Sequence, residues 1–221
     1  MALRLHAITF VDAHANEPLG DGTGTGSGTG TGSWSGTLLV PFRDLCAVVS
    51  EQKNFTLEDA PPTPKEVERH RAVVDWLFRR SSVLPAPVGV VFRGPDVLRR
   101  WMELHYVSLT GALEFVDDRA VARLHVVRAD GKDDDLEAGS DLAAAAAEAM
   151  RALRRGAVAS VPLRHEEVTG IVLSSAFLVE RELWKQFHRE VEEQQDAHPL
   201  LRFDMTGPWP AYDFVRMQFG A

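Results

Sequence analysis

Residues 200–215 read LLRFDMTGPWPAYDFV. The first half alternates: Leu201, Phe203 and Met205 are apolar, while Arg202, Asp204 and Thr206 are polar. A period of two predicts a strand over 200–206 with one apolar face. Gly207 then permits a sharp change of direction. Pro208 and Pro210 fix φ and remove two backbone donors, so neither a helix nor a central strand continues through them. The segment beyond Thr206 is therefore expected to be extended and held by side chains, with Trp209, Tyr212 and Phe214 supplying apolar area. Read this way, the aromatic end closes the core of the last domain, and Trp209 and Tyr212 pack inward; were the segment exposed, the same two side chains would be natural anchors for a partner.

Working back from that end, a helix is predicted over 180–195, with Leu183, Trp184, Phe187 and Val191 inward and a charged outer face. A strand over 170–179 precedes it, with Ile171, Leu173, Phe177 and Val179 on one face. Residues 160–169 read as a connection. Ser140 is positioned to cap an alanine-rich helix over 141–155. Residues 121–128 form a strand, with Ala122, Leu124 and Val126 sharing a face.

The first half begins with a strand over 3–11, in which Leu3, Leu5, Ala7 and Thr9 alternate with the mixed set Arg4, His6, Ile8 and Phe10, as in a strand covered on both sides. Residues 20–36 are Gly-Thr and Gly-Ser repeats with little to bury, which predicts a flexible loop. Two short apolar runs, 38–42 and 45–49, are adjacent strands or one bent strand. Thr63, Pro64 and Glu66 form a helix start with a capping box, after which Val67, His70, Val74, Leu77 and Phe78 share a face. Pro85 and Pro87 break that helix, and 88–92 is expected to be a buried strand. A second helix opens at Pro95, with Val97, Leu98, Trp101, Leu104, His105 and Leu109 on its inner face, and ends near 111–115.

The order of elements favours an α+β architecture with helices on one face of a sheet over a doubly wound parallel sheet. Two domains are expected: an N-terminal mixed α+β sheet domain over 1–115 and a C-terminal domain over 116–221. The second follows the order strand, helix, strand, helix, strand, a reduced ferredoxin-like set ending in the extended aromatic tail 207–221.

Several motifs are more specific than this pattern. The ending GPWPAYDFV (207–215), preceded by a short strand, resembles the C-terminal signature GPWPPYxFV of the gas vesicle protein F/L family. Ala211 stands where that signature has its second proline, and Asp213 fills the variable place. The family also carries a His in the helix before a segment of the form LPVRFGTVF. Here His70 precedes Leu84, Pro85, Gly89, Val91 and Phe92, which match; Pro87, Val88 and Val90 depart from it. The run AFLVERELWKQFHREVEEQ, then a strand, then GPWP follows the family layout as well. The resemblance covers the chain from about Val67 onward. It implies an N-terminal α+β domain, a C-terminal ferredoxin-like domain, and the tail packed back on them. The residues it marks are His70, Leu84, Pro85, Gly89, Phe92, Gly207, Pro208, Trp209, Pro210, Tyr212 and Phe214, as structural or partner-contact positions.

Composition excludes some functions. The net charge of −8, with arginines scattered rather than striped, argues against nucleic-acid binding. No apolar run is long enough to span a bilayer, and residues 1–10 do not read as a secretory signal. Cys46 stands alone in an apolar run, which predicts a buried side chain and a reducing, cytoplasmic setting. The even-numbered glycines of 20–36 cannot make a dinucleotide fingerprint, and no Lys completes a phosphate-binding loop. There is no GxSxG or HExxH. Asp133, Asp134 and Asp135 read as a solvated turn, and His165, Glu166 and Glu167 as surface. No catalytic residue, cofactor or metal is expected.

The family resemblance implies a cytoplasmic, non-catalytic assembly or accessory protein of gas vesicles. Its partners would be the major gas vesicle shell protein and other gas vesicle accessory proteins, as a minor vesicle component or chaperone-like factor. Two other readings stay open. One is an enzyme or small-ligand module on a ferredoxin-like sheet, for which two of His70, His105 and His125 would have to meet a carboxylate in a cleft. The other is an interaction protein unrelated to gas vesicles.

Overall fold

The computed structural model of the chain describes residues 1–14, 36–52, 61–129, 136–164 and 170–215, with the backbone alone for 136–140. Three of the features above lie outside these residues: the Gly/Thr/Ser stretch up to residue 35, the run Asp133, Asp134 and Asp135, and the group His165, Glu166 and Glu167. The chain divides into two compact units, Met1–Asp117 together with Val215, and Asp118–Phe214. Each has an antiparallel sheet and two helices, so the α+β class read from the sequence is the class observed. Among the described residues, no helix is long and apolar enough to cross a membrane.

The first unit is built on β1 (Ala2–Phe10). It pairs with β3 (Leu45–Gln52), which in turn pairs with β2 (Thr37–Phe42). On its other edge β1 holds two short pieces, β4 (Leu84–Pro85) and β5 (Val91–Phe92). The two apolar runs are thus adjacent strands; they turn at Arg43, whose φ is 55°. Residues 2–9 are all buried, and that burial on both faces explains why the sequence of β1 lacks a clean alternation. Cys46 lies in β3, fully buried.

The helix α1 (Pro64–Phe78) starts as its sequence predicts. The Thr63 hydroxyl accepts from the Glu66 N–H, and the Glu66 carboxylate accepts from the Thr63 N–H. The continuous strand expected over 88–92 is not formed. Gly89 has φ +99°, and only Val91 and Phe92 pair. In α2 (Pro95–Val116) the inner face is Leu98, Trp101, Met102, Leu109, Leu113 and Val116. Val97 and Leu104 face outward, a correction to their expected burial. The apolar residues of α2 are spread around the helix, so periodicity alone could not choose the buried stripe.

The second unit runs β6 (Arg119–Arg128), α3 (Leu136–Leu153), β7 (Ala159–Pro162), β8 (Ile171–Glu180), α4 (Trp184–Ala197) and β9 (Leu201–Trp209). The sheet order is β7-β8-β6-β9, all antiparallel. Ala122, Leu124 and Val126 of β6, Phe177 and Val179 of β8, and Leu201 and Phe203 of β9 meet Ala146, Ala149, Met150 and Leu153 of α3 and Phe187 and Val191 of α4 in one core. Three expectations are corrected. The connection expected over 160–169 opens with the last three residues of a strand, β7, too short to show a period. Ser140 lies inside α3 rather than at its cap, because Leu136, Glu137 and Ala138 extend the helix backward. Leu183 belongs to a 3-10 turn before α4 and is exposed. The strands that end each sheet order all contain a proline: Pro41 in β2, Pro85 in β4, Pro162 in β7 and Pro208 in β9.

Candidate functional site

The signature ending does not stop the strand at Thr206. β9 continues through Gly207 and Pro208 to Trp209, which pairs with Val121. A sheet tolerates proline here because β9 is an edge strand with an irregularity: Arg123 faces Thr206, while Val121 faces Trp209. Gly207 is at φ +133°. A Cβ at that position would lie 2.6 Å from the Val121 carbonyl oxygen and 2.9 Å from the Trp184 ring. Glycine is therefore required twice, for conformation and for close approach of β6.

Beyond the strand, Pro210 and Ala211 are buried. Asp213 accepts two hydrogen bonds from the Arg123 guanidinium at 2.8 and 3.0 Å, which ties the tail to β6. The expected inward packing of the aromatics is not what is seen. Trp209 is 41% exposed and Tyr212 36% exposed, while Phe214 is half-buried. The Trp209 Nε1–H donates to Thr206 Oγ1 at 3.1 Å, which fixes the indole on the surface. The result is an aromatic surface on a rigidly held edge.

A second cluster lies in the first unit, between α1 and the sheet. The register of β1 slips between Leu5 and Ala7, which places His6 at a bulge. Its Nδ1 lies 3.3 Å from His70 Nδ1, and its Nε2 lies 3.0 Å from Ser50 Oγ. Arg4 extends beside them, donating to Gln52 Oε1 at 3.1 Å and pairing with Glu66. His6 and His70 are enclosed, at 0% and 1% exposure. Burial, reinforced by His70, Arg69 and Arg4, pushes the His6 imidazole down to about 3. Burial likewise pushes His70 down to about 4, with the Ala86 carbonyl acting in the opposite direction. Both rings are held well below the usual imidazole range, and in a neutral pair one Nδ1 donates to the other. Glu66 is held below the usual carboxylate range, first by the Thr63 N–H.

The family-marked residues of the first unit gather around β1. His70 packs on His6, Leu84 and Pro85 pair with Ile8 and Ala7, and Phe92 pairs with Leu3 and packs its ring on Trp101. Gly89 provides the positive-φ turn between the two short strands. Each of the three histidines proposed for an enzyme has a different neighbour. His70 is paired with His6, His105 lies tilted against Trp101 with ring centroids 5.1 Å apart, and His125 Nδ1 meets Ser174 Oγ at 2.8 Å. Arg4, His6 and Ser50 were missed in the sequence; a charged residue and a histidine in an otherwise apolar strand were the available signal.

Comparison with known proteins places the chain in a family. The profile described as "Gas vesicle synthesis protein GvpL/GvpF" matches residues 10–141 and 131–216, and the chain belongs to that family. Among its relatives, gas vesicle protein F2 of Halobacterium salinarum is 26% identical over 189 residues, covering 82% of this chain and 81% of the relative. Gas vesicle protein F1 of the same organism is 21% identical over 189 residues, covering 82% of each. The crystal structure of the gas vesicle protein GvpF from Anabaena sp. PCC7120 superposes with a TM-score of 0.73 at 14% identity, covering 98% of this chain and 99% of that one. That of GvpF from Microcystis aeruginosa gives 0.69 at 13% identity, with the same coverage. These structures share the fold.

Proposed function

We propose that this chain is a cytoplasmic, non-catalytic gas vesicle accessory protein. In this reading it binds the major gas vesicle shell protein, as a minor component or chaperone-like factor, alongside other accessory proteins. The observation that carries it is the presentation of Trp209 and Tyr212 on the surface, at the family-signature edge of β9. Aromatic side chains held rigidly at a surface are favoured anchors for an apolar partner. The tail's backbone is fixed by the Arg123–Asp213 pair, so little ordering opposes binding. The non-catalytic reading is supported by the enclosure of His6 and His70, which keeps that pair from any substrate. Co-expression of the chain with the major shell protein, followed by pull-down, tests the proposal. Association is expected, and the double change Trp209→Ala with Tyr212→Ala is expected to weaken it by about tenfold or more. Absence of association at every salt concentration would overturn the reading.

A further inference from the structure

The outer face of α2 carries a pattern of its own. The positions 97, 100, 104, 107, 111 and 114 are spaced alternately by three and four residues, the seam of a heptad. All six are exposed: Val97 by 51%, Leu104 by 75% and Val107 by 82%, with Arg100, Gly111 and Glu114 beside them. Single exposed apolar residues are unremarkable, but three in register on one 22-residue helix form a stripe. Gly111 is the informative member. A Cβ there meets nothing among the described residues within 4 Å. No packing within its unit requires glycine in the interior of a helix, where it is less favourable than alanine by about 1 kcal/mol.

The two members of this seam that carry charge lie at opposite ends of it. Arg100 is near the N-terminal end, with Asp96, Arg99 and Glu103 around it, and Glu114 is near the C-terminal end. Asp96 partners Arg99 at 3.4 Å. Among the described residues, neither Arg100 nor Glu114 has an ionic partner. Turned end for end, this face is complementary to itself. An antiparallel register that sets Leu104 against Val107 of a second copy also sets Arg100 against Gly111 of that copy. In the same register Val97 meets Glu114. Arg100 would cross the second helix where no side chain stands in its way and reach Glu114, one turn further along. The two-fold operation repeats each contact, as in an isologous pair.

We infer that the outer face of α2 is a homodimer interface, in which two copies of this helix pack antiparallel through Leu104, Val107 and Gly111 and exchange Arg100–Glu114 ion pairs. This goes beyond the shell-protein reading and does not depend on it. One helix face is small beside a standard interface of about 1,600 Å², so the dimer is weak and concentration-dependent.

Sedimentation equilibrium of the full chain across the micromolar range tests it. A reversible monomer–dimer equilibrium is expected. Leu104→Lys and Gly111→Gln should each weaken it by about tenfold or more. Gly111→Gln is the more telling, because it improves helix propensity while obstructing the crossing. Arg100→Glu and Glu114→Arg should each weaken the dimer, and the two together should restore it. Trp209→Ala should leave it unchanged, which separates this result from the shell-protein test. A monomer at all concentrations, a dimer indifferent to the Leu104 and Arg100 changes, or failure of the double charge reversal would each overturn the inference. Circular dichroism confirms that the variants keep their fold, as substitutions at exposed positions should.

Discussion

Replacing Gly207 with alanine should destabilise the second unit by an amount set by two separable effects. The first is conformational: φ is +133°, where an L side chain is strained by about 1–3 kcal/mol. The second is contact. The new Cβ would sit 2.6 Å from a backbone oxygen of β6 and 2.9 Å from the Trp184 ring. Backbone in the middle of a sheet cannot step aside, so overpacking adds about 1–3 kcal/mol. Alanine also reduces the freedom of the unfolded chain, which returns about 0.4–1 kcal/mol. The net expectation is a loss of about 3 kcal/mol. Two other glycines separate the effects. Gly170 has φ +85°, and a Cβ there meets nothing among the described residues, so Gly170→Ala shows the conformational part alone, about 1 kcal/mol. At Gly111 neither effect operates, so Gly111→Ala should stabilise by up to about 1 kcal/mol. Urea unfolding of dilute protein, followed by tryptophan fluorescence and circular dichroism, measures all three. With a slope of about 2 kcal/mol per molar urea, Gly207→Ala should lower the midpoint by about 1.5 M. If Gly207→Ala proves no worse than Gly170→Ala, the claim that β6 crowds this glycine is wrong.

Two further outcomes are expected. His6 and His70 take up protons near pH 6.5 when unfolded but resist them to about 3 and about 4 when folded. Stability is therefore full above pH 6.5 and falls as the pH drops below it, by about 1.4 kcal/mol per pH unit for each ring. Between pH 7 and 5 the first unit should lose roughly 2–4 kcal/mol, and His70→Gln should flatten that dependence; a urea midpoint equal at the two pH values would contradict it. Asp213→Ala removes the anchor of the tail, but Arg123 is partly exposed. Its effect on global stability should be only about 0.5–1 kcal/mol, while proteolysis beyond residue 210 should accelerate; an unchanged cleavage rate would show that Asp213 does not hold the tail.

Local chemistry was the legible part of this sequence. The Thr63–Pro64–Glu66 start of α1 was readable because a capping box uses adjacent residues. The α+β class followed from strands and helices long enough to show their periods. The signature ending was recognisable, but its structural role was not. Pro208 reads as a strand breaker until one knows that β9 lies at an edge, which depends on pairing with β6 some 80 residues earlier in the chain. The outward placement of Trp209 has the same origin, since the irregularity against β6 decides which way the indole turns. The stripe on α2 was hidden because Val97 and Leu104 look like core residues in one dimension. The pairing of His6 with His70 joins residues 64 apart in sequence through a bulge that no local pattern announces.

The prolines of the terminal strands have a wider consequence. An unpaired strand edge is a template on which another chain can add itself by backbone hydrogen bonding. Pro41, Pro85, Pro162 and Pro208 put a residue without an amide hydrogen into the strand at every end of the two sheet orders. Strands so interrupted resist growing into mixed sheets with neighbouring chains. Contact with another chain at such an edge falls to side chains, and a grip of that kind can be let go.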